Sequence, residues 1–260
     1  MLTALWPSHW SRQQRSNATL VSAVVLMVLA LALLGQALSF LPEPIGPNAQ
    51  AFSDGARTTL WLTLVSGALG LVLGTAAALA RTARWAALRY VASFYIWVIR
   101  GTPLLVQILF VYFALPALVP GLNLPDFAAA MLALSLNVGA YNAEAIRAGL
   151  LAVPRGQTEA ARALGLGRTH VFFDVVFPQA FKIALPPLVS NFVALLKDSS
   201  LAYAIGVVEL SNVGNRIQSA TFQPIATLTT VAVTYLLLTT LVTQISNAIE
   251  YRFDVEGRAR

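Results

Sequence analysis

Long apolar runs, near or above 18 residues, alternate with short polar intervals along most of this chain, a pattern that predicts membrane-spanning helices rather than a soluble core. Six such runs stand out, over residues 18–41, 57–80, 90–117, 127–153, 183–204 and 225–249. The expected fold is therefore all-α and polytopic, with about six transmembrane helices. The first run is too long, and lacks the cleavage site, to read as a removed signal peptide. The runs carry their own punctuation. In "SGALGLVLGT", Gly70 and Gly74 form a small-xxx-small pair that lets another helix approach closely. The stretch lacks the lysine that a phosphate loop needs after its last glycine. "RGTP", with Gly101 and Pro103, is expected to bend or break the third span, and Pro186 and Pro187 to kink the fifth.

Composition agrees with the pattern. Of 260 residues, 57% are hydrophobic and only 11% charged, well under the roughly 25% charged residues of soluble domains. There is no cysteine, which excludes a disulfide framework and thiolate chemistry. The net charge of +6 reads as basic loops on one membrane side, not as a nucleic-acid surface. Threading the six runs places Arg12, Arg15, Arg81, Arg84, Arg89, Arg155, Arg162, Arg168, Lys182, Arg252, Arg258 and Arg260 on one side, with Arg57 and Arg216 on the other. The positive-inside rule then puts both termini and the segment 154–182 in the cytoplasm.

That segment contains "EAARALGLGRTHVFFDVVFPQA", a short water-compatible stretch between two spans. Thr158 is a plausible N-cap, Glu159 suits the positive end of a helix dipole, and Ala160, Ala161, Ala163 and Leu164 favour helix. Gly165 and Gly167 supply the conformations that end it. A helix of about two turns is too short to stand alone. It packs on its own membrane domain or docks a cytoplasmic partner.

Ionisable groups at membrane depth each cost about 2.5–3.5 kcal/mol at the helix centre on insertion scales, and Arg100, Glu144, Lys197 and Asp198 fall there. Asn137, Tyr141 and Glu144 recur at i, i+4, i+7 on one helix face. Counting about 1.5 Å per residue puts Arg100, Asn137 and Lys197 roughly 18–21 Å from the cytoplasmic ends. Gln107, Ser199 and Ser200 lie close by in sequence. Two readings stay open. Lys197 with Asp198, and Arg100 with Glu144, could pair to lock the bundle. Alternatively, Arg100, Asn137, Tyr141, Glu144, Lys197, Asp198 and Ser199 line a pathway for a zwitterion, a carboxylate for its ammonium and a cation for its carboxylate.

The spacing Glu-Ala-Ala-x3-Gly-x9-apolar-x-apolar-Pro, carried by Glu159, Ala160, Ala161, Gly165, Val175, Phe177 and Pro178, resembles the EAA loop of ATP-binding cassette importer permeases. Val175 and Phe177 stand where Ile and Leu are commoner. "IRGTPLLVQILFVYFALP", "YNAEAIRAGLLAVPRGQTEAA" and "LLKDSSLAYAIGVVEL" narrow the resemblance to the polar amino acid uptake permeases, over approximately residues 58–252. The resemblance implies a type I importer permease fold. It divides the chain into an N-terminal tail, extra helix and external loop (1–56), a transmembrane domain (57–252) with its coupling loop (154–182), and a cytoplasmic tail (253–260). It further implies a half-transporter in a bacterial inner membrane, partnered by a second permease subunit, by an ATPase subunit that binds ATP and Mg, and by an external amino-acid-binding protein. Glu159, Ala160, Ala161, Gly165, Gly167 and Pro178 would couple to the ATPase, and "YNAE" and "KDSS" would line the cavity.

Other classes fit less well. His9 and His170 are the only histidines, neither is placed for a metal cluster or a catalytic pair, and no H-E-x-x-H or G-x-S-x-G occurs. Neither a catalytic residue, a metal nor a cofactor of its own is expected in this chain. A stand-alone secondary transporter or channel is the alternative, but it has no use for an EAA-type element.

Overall fold

The computed structural model describes residue 7 and residues 9–253, and all regular elements among them are helical. Helix α1 (Arg12–Ser39) starts at a capping box made by Ser11 and Gln14. It is followed by α2 (Ala49–Thr82), α3 (Ala86–Gly101), α4 (Leu104–Leu109) and, after a π-turn over Phe110–Ala114, α5 (Leu115–Leu118). Then come α6 (Asp126–Leu151), α7 (Arg155–Ala163), α8 (Arg168–His170), a π-turn over Val171–Val176, α9 (Phe177–Asp198), a 3-10 turn over Ser199–Ile205, α10 (Leu210–Thr221) and α11 (Pro224–Arg252). Of the expected cytoplasmic tail, 253–260, all but residue 253 lies outside the described residues, Arg258 and Arg260 included.

Four helical stretches, Gln13–Ser39, Gly46–Thr82, Arg168–Ile205 and Pro224–Arg252, are long and apolar enough to cross a membrane; a fifth is Ala86–Gly101 with Leu104–Leu118, counted as one bent span. The chain is a multi-pass membrane protein. The remaining expected span, α6, has 26 residues but carries Asn137, Asn142, Glu144 and Arg147. It tolerates them because protein surrounds it: α2, α3, α4 and α9 all pack against α6.

The α2–α6 seam is built from small residues. A methyl carbon on Gly74 would stand 2.8 Å from the Gly139 carbonyl oxygen and 2.7 Å from Asn142 Cβ; one on Gly139 would stand 3.3 Å from the Gly70 carbonyl oxygen. The small-xxx-small expectation therefore holds, with α6 as the partner. Gly74→Leu should force the two backbones apart. We expect a loss of about 1–3 kcal/mol, read as a lower melting temperature of the purified protein, whereas Gly156→Leu, in open space, should change little.

The third span breaks as "RGTP" predicts, α3 and α4–α5 meeting at 112°. The fifth begins upstream of the expected run, at Arg168, and α9 carries Pro186 and Pro187 inside the helix. Tight packing holds this stretch in place: Ala184 lies against Gly149 of α6, where a methyl would come within 2.9 Å of the Ala184 Cβ.

Candidate functional site

Helix breaks free backbone carbonyls, and inside a membrane each must find a donor. At the α3–α4 break that donor is Gln107. Its Nε2 donates to Ile99 O at 2.7 Å and to Thr102 Oγ1 at 2.9 Å, and its Oε1 accepts from Asn137 Nδ2 at 3.0 Å. Asn137, expected in a substrate pathway, thus braces the break while its helix forms a wall of the adjoining cleft.

That cleft has a volume of about 330 Å³ and is walled by Thr102, Pro103, Asn137, Tyr141, Asn191 and Asp198, among others. Three expected pathway residues, Asn137, Tyr141 and Asp198, therefore meet in one place. Asp198 makes no ion pair among the described residues, so pairing with Lys197 does not occur. The two are adjacent on a helix and point about 100° apart: Asp198 is half-buried at the cleft and Lys197 is exposed. Ser199 is fully buried and donates to Leu196 O at 2.8 Å. Lys197 and Ser199 line neither this cleft nor the next.

A second cleft, about 420 Å³, is walled by Arg81, Ser93, Trp97, Arg100, Tyr141 and Glu144. Tyr141 belongs to both and joins them. The Arg100 guanidinium lies over the Tyr141 ring, 5.3 Å from its centroid. Glu144 does not pair with Arg100. Its carboxylate accepts from Arg81 and, at 2.6 Å, from Arg147 Nη2. With two guanidinium partners, Glu144 is committed to holding α2 against α6, and Arg100 keeps no acidic partner among the described residues. Asn191, Arg81 and Arg147 were not foreseen. Arg147 stands one turn after Glu144, a spacing that could have found it.

In the segment between α6 and α9, α7 starts at Arg155 after Pro154, not at Thr158. Proline is favoured at helix starts because its missing N–H is not needed there, so Glu159 lies mid-helix, not in the first turn. The stop is as expected. Gly165 has φ +81°, its N–H donates to Arg162 O (2.9 Å), and Leu166 N–H donates to Ala161 O (3.2 Å), a Schellman closure. Gly167, by contrast, has φ −66° and caps α8. Ala161 is buried against the rest of the fold, while Glu159, Ala160 and Pro178 are exposed and Leu164 is 83% exposed. One face of α7 rests on the Val171–Val176 turn; the other is open.

Comparison with known proteins places this architecture. Residues 70–255 match the family described as binding-protein-dependent transport system inner membrane component. The glutamine transport system permease protein of Escherichia coli is 39% identical over 212 residues, covering 81% of this chain and 96% of that protein. The L-cystine transport system permease protein of Bacillus subtilis is 39% identical over 203 residues, 78% of this chain and 86% of that one. The crystal structure of an amino acid ABC transporter with histidines contains a chain 38% identical to this one, with a TM-score of 0.74 over 79% of this chain and 95% of that chain. An inward-facing methionine ABC transporter, 22% identical over 82% of this chain and 99% of that one with a TM-score of 0.69, shares the fold. With the family match spanning the broken helix, the polar clefts and the α7 loop, this chain belongs to the inner membrane components of binding-protein-dependent transport systems.

Proposed function

We propose that this chain is the permease subunit of an ATP-driven amino acid importer in a bacterial inner membrane, with both termini cytoplasmic. The observation that carries this reading is the polar cleft of Asn137, Tyr141, Asn191 and Asp198 beside a broken helix, inside an otherwise apolar bundle. An unpaired carboxylate there suits the α-ammonium of an amino acid, and Arg100, reached past Tyr141, suits its α-carboxylate. The backbone at the break adds dipoles to the same space. Two permease subunits would complete the pathway, and an external binding protein would deliver the substrate. ATP and Mg would be bound by an ATPase subunit docked on the open face of α7, through Glu159, Ala160, Gly165 and Leu164. The named cargoes of the relatives, glutamine and cystine among them, agree on an amino acid without agreeing on which.

The test is reconstitution of this chain in liposomes with its cognate ATPase subunit and binding protein. Uptake of a labelled amino acid should require ATP and all three components. Uptake by the chain alone would overturn the proposal in favour of a stand-alone transporter. In the same assay Gly165→Val should lower uptake at least tenfold, because a β-branched residue at φ +81° is strained and should re-aim α7.

A further inference from the structure

Away from both polar clefts, an apolar groove of about 650 Å³ runs between α1, α2, α9 and α11. Its walls include Val24 and Val28 of α1, Leu185, Val189 and Phe192 of α9, and Ile249 of α11. Each of three walls follows a helical stripe, and each stripe ends at the same end of the bundle in a polar or basic group. On α9 the stripe Phe192, Val189, Leu185 leads at three- and four-residue steps to Lys182. On α11 Val242, Ile245 and Ile249 lead to Arg252, and on α1 Val28 and Val24 lead to Asn17. Arg252 Nη1 donates to Asn17 Oδ1, and the ring of Phe181, beside Lys182, packs 5.1 Å from that of Phe253, beside Arg252. These contacts draw the three stripes together at one mouth. Lys182 and Arg252 are both exposed there. Arg15 and Glu250 lie at the same end, each already engaged with a neighbour.

We infer that this groove is a binding site for an anionic phospholipid, one acyl chain lying between α1 and α9 and the phosphate held at Lys182 and Arg252. Apart from Asn142 and Ser246 the lining offers no polar side chain, which suits a hydrocarbon chain. A basic mouth between transmembrane helices supplies the charge complement of an anionic headgroup. Helix α1 lies outside the matched family region of residues 70–255. By adding Val24 and Val28 as a wall, it turns an open side of the bundle into a bounded groove. The lipid would thus tie α1 to the transport core.

The experiment uses the purified, delipidated full chain, titrated with phosphatidylglycerol or with phosphatidylcholine of the same chain length and read by native mass spectrometry and thermal unfolding. The wild type should retain phosphatidylglycerol about tenfold better than phosphatidylcholine and gain melting temperature only with the former. Lys182→Gln combined with Arg252→Gln should abolish that preference. Val28→Trp, at a position 60% exposed and so without a core to disrupt, should reduce retention of both lipids at least fivefold. Equal retention of the two lipids by the wild type, or undiminished retention by Val28→Trp, would overturn the site. So would efficient cross-linking between copies carrying Val28→Cys and copies carrying Leu188→Cys, since a second copy would then occupy the groove.

Discussion

Glu209→Ala should lower the unfolding free energy of this protein by about 3–5 kcal/mol. Glu209 is fully buried at the start of α10 and makes no ion pair among the described residues. Its carboxylate accepts from Ser211 N–H at 2.8 Å, Asn212 N–H at 2.7 Å and Tyr235 O–H at 2.9 Å. Leu210 N–H goes to Thr59 Oγ1 at 3.1 Å. One carboxylate therefore caps α10 and holds it near α2 and α11. Removing it costs a helix cap, typically about 1 kcal/mol, and strands buried donors at about 1–3 kcal/mol each. Glu209→Gln keeps one acceptor oxygen and should fall between the two. Burial pushes this carboxyl above its ordinary value, while its hydrogen bonds with Ser211, Tyr235 and Asn212 oppose the shift. The folded state thus holds the proton more tightly than the unfolded chain, so this group's contribution declines as pH rises from the unfolded towards the folded pKa. Thermal unfolding of the three proteins over a pH series measures both effects. An alanine variant as stable as wild type would remove Glu209 from this role.

Asp198→Asn and Glu144→Gln should separate transport from stability. If Asp198 meets the ammonium of the substrate, its neutral amide forfeits a charge-assisted hydrogen bond of about 1.5–3 kcal/mol, or roughly 10- to 150-fold in affinity at the membrane step. The melting temperature should hardly move, because Asp198 supports no ion pair among the described residues. Glu144→Gln does the reverse. It leaves Arg81 and Arg147 facing each other, partly buried, without their shared carboxylate. Breaking such a pair destabilises by up to about 3–5 kcal/mol when fully buried and by less here. Uptake kinetics over a range of substrate concentrations, beside thermal unfolding of the same preparations, tests both. A large melting-temperature loss in Asp198→Asn, with kinetics per folded protein intact, would sink the substrate role.

The contrast between these two carboxylates shows what the chain makes legible. Apolar runs, the "RGTP" break, the Gly70–Gly74 seam and the Gly165 stop were all readable, because each depends on local spacing or on a residue's own backbone freedom. Partner choice was not. Glu144 could be placed at depth, but Arg81 reaches it from 63 positions away, across a helix contact that no local pattern encodes. Asn191 went unread for a related reason: one amide in an apolar run means little until Asn142 is found 3.0 Å away. The start of α7 was misread at Thr158 because two helix-start signals competed, and the proline lay first.

The seam between α2 and α6 carries a mechanical consequence. Where Gly70, Gly74 and Gly139 bring two backbones together, sliding by even one residue would drive a Cβ into a space sized for hydrogen. The pair is thus locked in register like a keyed shaft. Any cycle that opens the polar clefts first to one side and then to the other must carry α2 and α6 together, as one body. The relative motion falls to the other joints, the broken third helix foremost among them, whose carbonyls Gln107 already satisfies in the bent state. Swinging there would cost no helical hydrogen bond that the bend has not already given up.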